Sequence, residues 1–270
     1  MQLSPTGERV IEEYYLSNPE DYLIYQFHLA TYRYSFPYVI GKHVLDLGCG
    51  SGYGTDLVAQ QGANVSGVDI SEDAISYARR HYNRTNLTFM VVENVEEFPL
   101  PFSDSSFDVV LSFQVIEHLN DPKPYLRDIQ RVLKPSGTLL LATPDRSERL
   151  FSFQKPWNVW HIHEYQSSEL HRLLNRYFSD VQVLRMGGKE EILKTELDRI
   201  RKIRWLTLPF TFPFTSERVR KKGLLWLKRL NAARRGKKPP DFEPTALGSG
   251  DIVISPDQRP SVNLVAIARR

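Results

Sequence analysis

The sequence predicts an α/β fold, a largely parallel β-sheet covered by helices on both faces. Three observations carry that reading. Short apolar runs alternate with segments of helical spacing, and the runs are near-continuous, as strands buried on both faces must be. The stretch DLGCGSGYG (46–54), with four glycines at alternate positions, follows the apolar pair Val44–Leu45. The next apolar run ends in an aspartate, Asp69, 17 residues beyond Gly52.

An aromatic-rich leader (Tyr22, Tyr25, Phe27, Tyr32, Tyr34, Phe36, Tyr38) precedes HVLDL (43–47), the first strand. GTDLVAQQG has helical spacing at Leu57 and Val58 and a terminal Gly62. ANVSGVDI reads as the second strand, and SEDAISYARRHY as a helix that Ser71 can cap. LTFMVVE and FDVVLSF are the third and fourth strands; YLRDIQRVLKPSG is a helix stopped by Pro135 and Gly137. TLLLATP is the fifth strand, SSELHRLLNRYF a capped helix, and DVQVLRM the sixth strand. SVNLVAIARR (261–270) is the seventh, after roughly seventy residues of different character. Within these, the Pro/Gly-rich RRGKKPPDFEPTALGSG (234–250) reads as a loop.

At 270 residues the chain suits one large domain or a domain with an insertion. With 41% hydrophobic and 25% charged residues it has the composition of a soluble globular protein. No run approaches the roughly 18 apolar residues of a membrane span. The single cysteine, Cys49, excludes an intramolecular disulfide and a multi-cysteine metal site. The N-terminus lacks the basic start and apolar core of a signal peptide, so a cytoplasmic location is expected.

The net charge of +3 conceals an asymmetry: residues 199–238 hold fourteen Lys and Arg against one acid, Glu217, a local +13. The rest of the chain therefore carries about −10, the difference between those two figures. Trp205, Phe210, Phe212, Phe214 and Trp226 interleave with these cations. In RVRKKGLLWLKRL, Val219, Leu224, Leu225, Leu227 and Leu230 can form one apolar face. Such a helix suits an anionic membrane surface, here the inner membrane face. Nucleic acid ranks below it as partner. A basic helix packed on the domain with its charges solvated accounts for the same pattern.

Glycines in a loop beyond a strand permit positive φ and close approach of a ligand. The dehydrogenase fingerprint G-x-G-x-x-G fails in every register, because its last position falls on Tyr53, Thr55 or Leu57. Asp69 can accept both ribose hydroxyls of an adenosine, in a dinucleotide or in S-adenosylmethionine (SAM).

The segment VLDLGCGSGYGTDLVAQQGANVSGVDIS resembles the glycine and acidic-strand motifs of class I SAM-dependent methyltransferases. VENVEEFPLPFSDSSFDVVLSFQVIEHLNDPKPYLRDIQRVLKPSGTLLLATP resembles the small-molecule branch of that family, and the likeness covers about residues 41–188. It implies a seven-stranded Rossmann-like sheet, six strands parallel and the seventh antiparallel beside the sixth, with SAM as cofactor. The corresponding division is an N-terminal helical lid (1–40), a SAM-binding core (41–188), a basic insertion between strands six and seven (189–260) and the last strand (261–270). The resemblance also assigns roles. Asp46, Gly48, Gly50 and Gly52 face the methionyl end, Asp69 and Ile70 the ribose, Asn94 and Val95 the adenine. The backbone of Phe113 and Gln114 meets the ammonium.

For a hydroxyl acceptor the protein supplies proximity and a general base. His161 is the first choice and His118 the second, histidine titrating near neutrality. KPWNVWHIHEYQSSEL resembles the family's substrate loop NPYHVREF, with Asn158 and His161 matching and His163 replacing the arginine. Trp157 and Trp160 would offer flat surfaces to a sugar or ring. The leader, with GER and then HLATYRY, resembles methyltransferases of surface-glycan pathways, which implies Tyr25, His28, Tyr32 and Arg33 as acceptor or lid contacts. QVIEH (114–118) keeps only Glu117 and His118 of the E-x-x-E-H ligand motif of terminal RNA ribose methyltransferases. Gln114 is a poor ligand for a hard cation, so no metal is expected. The insertion leaves the active-site end of the sheet, where it can cover the acceptor pocket. The expected function is methyl transfer to a small-molecule or glycan hydroxyl, free or lipid-linked. An RNA or isoprenoid-quinone methyltransferase and a non-catalytic SAM-binding protein are the alternatives.

Overall fold

The computed structural model describes residues 19–94, 96, 99–234 and 248–270. The leader up to residue 18, Val95 and most of the Pro/Gly-rich stretch lie outside the described residues. Eight strands form one sheet in the order β3-β2-β1-β4-β5-β8-β6-β7. They are β1 (His43–Leu47), β2 (Asn64–Asp69), β3 (Leu87–Val91), β4 (Phe107–Phe113), β5 (Leu133–Pro144), β6 (Ser179–Gly188), β7 (Ile252–Ser255) and β8 (Asn263–Arg269). β1 to β5 pair in parallel, while β8 runs antiparallel between β5 and β6. Six parallel strands and an antiparallel last strand beside the sixth thus match expectation; β7, antiparallel to β6 at the sheet edge, is an eighth strand inside the stretch read as insertion.

Alternation along the strands sends apolar side chains to two cores. On β4, Val109 and Leu111 face one and Val110 the other; on β5, Leu140 and Ala142 oppose Leu139 and Leu141. The first core takes α1 (Pro19–Val39), α2 (Tyr53–Gln60), α3 (Glu72–His81) and the first half of α7 (Glu190–Thr211), through residues such as Phe27, Val58, Ile75 and Leu193. The second takes α4 (Pro122–Val132) and α6 (Ser167–Leu174), through Leu126, Ile129 and Leu170. The short α5 (Arg146–Arg149) follows β5, its start capped by Asp145, which accepts from the Ser147 N–H at 2.9 Å.

The basic segment folds as a hairpin of α7 and α8 (Glu217–Arg234). The two helices cross closely at Gly223, where a Cβ would lie 2.1 Å from the Phe210 ring. Of the apolar face expected on α8, Leu224 is buried, but Val219, Leu225 and Leu230 remain exposed.

Candidate active site

A cavity of about 1040 Å³ opens beyond the carboxyl ends of β1, β2 and β4. Its floor begins where β1 ends. Gly48 and Cys49 donate their N–H groups to the Val68 carbonyl at 2.8 and 2.9 Å, which bends the chain sharply out of the sheet. Gly48 holds φ +83°, and a Cβ there would meet Val115 at 2.5 Å. Only glycine fits both conditions. Gly50 also has positive φ, and nothing stands within 4 Å of where its Cβ would be, so its backbone is open to a ligand. Gly52, the N-cap of α2, does not line the cavity; its missing Cβ makes room for Ala78 and Phe89 at 2.7 and 2.8 Å.

Asp69 lines the cavity at the end of β2. One carboxylate oxygen accepts from Gly50 N–H (3.0 Å) and the other from Ser71 N–H (2.9 Å). A carboxylate has about four acceptor positions, so two remain for ribose hydroxyls. Ser71 caps α3 as expected, accepting from Ala74 N–H at 3.3 Å. Ile70, Asn94, Phe113 and Gln114 continue the wall. Asn94 turns its side-chain oxygen onto the Glu96 N–H (3.1 Å), and Gln114 adopts φ +58° with its N–H on the Ala142 carbonyl. Positive φ in a residue other than glycine is uncommon and clusters at functional loops.

Asp46 departs from expectation. It is buried beneath the glycine loop and does not line the cavity. Tyr32 and Thr55 donate to it at 3.1 and 2.7 Å, while burial raises its pKa to about 6. It therefore ties α1 and α2 to β1. Tyr32 itself lines the cavity, edge-on to Phe113 at 5.0 Å, and His28 joins it, its pKa lowered by burial to about 4. Tyr25 is buried against Tyr53 and does not reach the cavity; Arg33 bonds to Ser249 instead.

The loop after α5 supplies the opposite wall, and here the two histidines exchange the places expected of them. His118, in the 3₁₀ turn Ile116–His118, lines the cavity with its Nδ1 3.2 Å from the Trp160 carbonyl. That acceptor requires the hydrogen on Nδ1, so the neutral ring keeps its lone pair on Nε2. His161 is buried behind it, the two rings edge to face at 4.9 Å, and is not in the cavity wall. Its Nε2 meets the Asn158 amide nitrogen at 2.9 Å and its Nδ1 meets Glu164 at 2.8 Å. Asn158 is oriented by the Trp160 N–H on its oxygen (3.1 Å), so its amide donates to Nε2 and the Nδ1–H goes to Glu164. Arg149 grips Glu164 with two bonds of 2.9 and 3.1 Å and stacks on Trp157 at 4.1 Å. Trp157 and Asn158 thus build the loop and do not line the cavity. His163 is held by Glu169 at 2.8 Å, also away from it. Trp160 does line it, half exposed.

Among the described residues one group has metal-ligand geometry: Glu117, His118 and His161, with ligand atoms within 4.8 Å of one another. His161 Nε2 is already an acceptor from Asn158, which leaves two donors of that set.

The sequence expects the insertion to cover the acceptor pocket but singles out neither Lys155 nor the residues of α8 that line it. Glu217, Arg220 and Lys221 wall the cavity together with Lys155, which pairs with Glu217 at 3.5 Å. Arg220 is buried and donates to the carbonyls of Pro156 (2.8 Å) and Asn158 (3.1 Å) and to Glu217 (2.9 Å). Basic composition marked this segment; no spacing in it distinguishes Arg220 from its neighbours.

An open glycine turn and a strand-end aspartate, at the carboxyl edge of a parallel sheet, form a site suited to an adenosine-bearing cofactor. Residues 45–141 match the family described as Methyltransferase domain. The chain is 38% identical over 172 residues to a Mycobacterium tuberculosis (strain ATCC 25618 / H37Rv) protein named probable S-adenosylmethionine-dependent methyltransferase. That match takes in 64% of this chain and 60% of the relative, so the chain spans about three fifths of that protein's length. A ubiquinone biosynthesis O-methyltransferase of Pseudomonas aeruginosa (strain UCBPP-PA14) is 34% identical over 42% of this chain and 49% of its own. The structure of an S-adenosylmethionine-dependent methyltransferase from Mesorhizobium loti shares the fold, with a TM-score of 0.56 at 17% identity over 92% of this chain and 100% of that one.

Proposed function

We propose that the protein transfers the methyl group of SAM to a hydroxyl of a small-molecule or glycan acceptor. The observation that carries this is one continuous cavity with Gly50 and Asp69 at one end and His118, Trp160 and Lys221 at the other. When bound, SAM supplies an electrophilic methyl on a sulfonium. The residues present suit it: an open Gly50, spare acceptor capacity on Asp69, and an apolar flank at Ile70.

The chain's part is to align the two partners and take a proton. His118 Nε2 would accept the proton of an acceptor hydroxyl held in line with that methyl group. Histidine suits this step because its neutral form is populated near pH 7. Lys155, Arg220 and Lys221 outnumber Glu217, with which the first two pair, and so favour an acceptor bearing negative charge, such as a phosphorylated or carboxylated sugar. The likeness to a ubiquinone biosynthesis O-methyltransferase supports a second reading, a phenolic hydroxyl on a quinone precursor.

Titration calorimetry with SAM tests the cofactor half. Asp69→Ala should weaken binding by on the order of tenfold or more, each lost charge-assisted bond being worth about 1.5–3 kcal/mol. Undiminished affinity would remove Asp69 from the ribose. His118→Ala should leave SAM affinity unchanged and lower turnover by about 10²–10⁴ on any accepted hydroxyl.

A further inference from the structure

Phe151, Phe153, Trp205, Phe212 and Phe214 form an unbroken line of rings across the outer face of the α7–α8 hairpin and the loop beside it. Successive centroids stand 4.9 Å (Trp205–Phe151), 5.7 Å (Phe151–Phe153), 5.6 Å (Phe153–Phe212) and 6.0 Å (Phe212–Phe214) apart. Rings so close belong in a core, yet these meet solvent: Phe214 is 92% exposed, Trp205 63% and Phe153 47%. A contiguous exposed apolar patch of this kind marks an interaction surface. On α8, Val219, Trp226 and Leu230 are exposed as well, at spacings of seven and four residues, with Trp226 against Phe210 of α7 at 6.3 Å. Arg201, Lys202, Arg218, Lys222, Lys228 and Arg229 are exposed on the same hairpin.

We propose that this face docks on an anionic lipid bilayer, with the rings in the headgroup boundary and the cations among the phosphates. Charge complementarity chooses the occupant. The exposed Arg201, Lys202, Arg218, Lys222, Lys228 and Arg229 make this hairpin basic, within a segment (199–238) that carries +13 in sequence while the rest of the chain carries about −10, so an anionic surface attracts the hairpin. The apolar content separates lipid from nucleic acid. Bases stack on rings, but the exposed Leu206, Val219, Leu225 and Leu230 gain nothing from a base and gain burial from acyl chains. Among the described residues no helix is long and apolar enough to cross a membrane, so the contact lies in the interface plane.

The patch is continuous with the cavity mouth. Lys155 donates its N–H to Thr211 (2.8 Å) and its ammonium to the carbonyl of Thr215 (2.7 Å), tying the ring line to the loop that carries Trp160. Docking would therefore present the far end of the cavity to the membrane and admit an acceptor whose hydrocarbon anchor stays in the bilayer. This consequence rests on the methyltransferase reading; the docking itself does not.

Vesicle flotation without methyl donor tests the docking alone, using phosphatidylcholine vesicles with and without phosphatidylglycerol. The protein should float with the anionic vesicles and detach as salt rises. Phe214→Ser should cut partitioning by on the order of tenfold, and Lys222→Gln by about fivefold. Both residues are exposed, and unchanged SAM binding would show that each variant is folded. Failure of the folded protein to float, equal binding to neutral vesicles, indifference to Phe214→Ser, or binding to a single-stranded RNA but not to vesicles would each overturn the proposal.

Discussion

Glu117 lies wholly buried beside His118, accepting from Thr143 at 2.9 Å and leaving its other oxygen without a hydrogen-bond partner. Burial raises its pKa from 4.5 to about 7, although His161 nearby pulls the other way. The native state thus holds a proton that the unfolded chain releases from about pH 4.5 upward. Stability falls as pH rises through that window and stays lower above it. Glu164 does the reverse. Burial alone would raise its pKa, but Arg149 and His161 outweigh burial and hold it at about 2. Its contribution is present above pH 4.5 and fades as pH falls toward 2. Glu117→Gln keeps the acceptor for Thr143 and removes the charge. It should raise stability by about 3 kcal/mol above pH 7, a shift of one unit being worth about 1.36 kcal/mol, and the gain should vanish near pH 4. Chemical denaturation at both pH values measures it; a gain independent of pH would contradict the assignment.

At the scale of elements, most of the sheet was legible because parallel strands covered on both faces need apolar runs, and Val109–Leu111 of β4 and Leu139–Ala142 of β5 are such runs, buried throughout. β7 was not, since IVIS (252–255) is four residues beside Pro256, at an edge where pairing with β6 and not composition makes it a strand. The Pro135–Gly137 break was read as a helix stop; Leu133 already pairs with Phe107, and Ser136 at φ 63° carries the chain through an irregularity within β5. The cofactor end of the site was equally readable, because Gly48, Gly50 and Asp69 act through backbone shape and one strand-end carboxylate. The acceptor end was not. Whether His118 or His161 faces the cavity depends on Glu164 and Arg149, partners 15 residues apart on the chain. No local spacing encodes that pair.

At the scale of the molecule, the cavity joins two parts with separate supports. Its cofactor end hangs from the sheet through β1, β2 and Asp46; its acceptor end hangs from the α7–α8 hairpin through Arg220. A ligand that binds only the native state at a hundred times its dissociation constant adds about 2.7 kcal/mol. For a chain of this size that raises the unfolding midpoint by about 5–10 °C. Arg220→Ala should leave the shift from SAM intact, since no bond of Arg220 reaches Asp69 or the glycine turn. Turnover should nevertheless fall by on the order of a hundredfold, because the loop carrying Trp160, on whose carbonyl His118 rests, loses its tether to α8. A raised KM alone would mean that the tether serves only acceptor capture; a lowered kcat would show that it also aligns His118. Loss of the SAM shift in Arg220→Ala would mean instead that the two ends of the cavity are one mechanical unit.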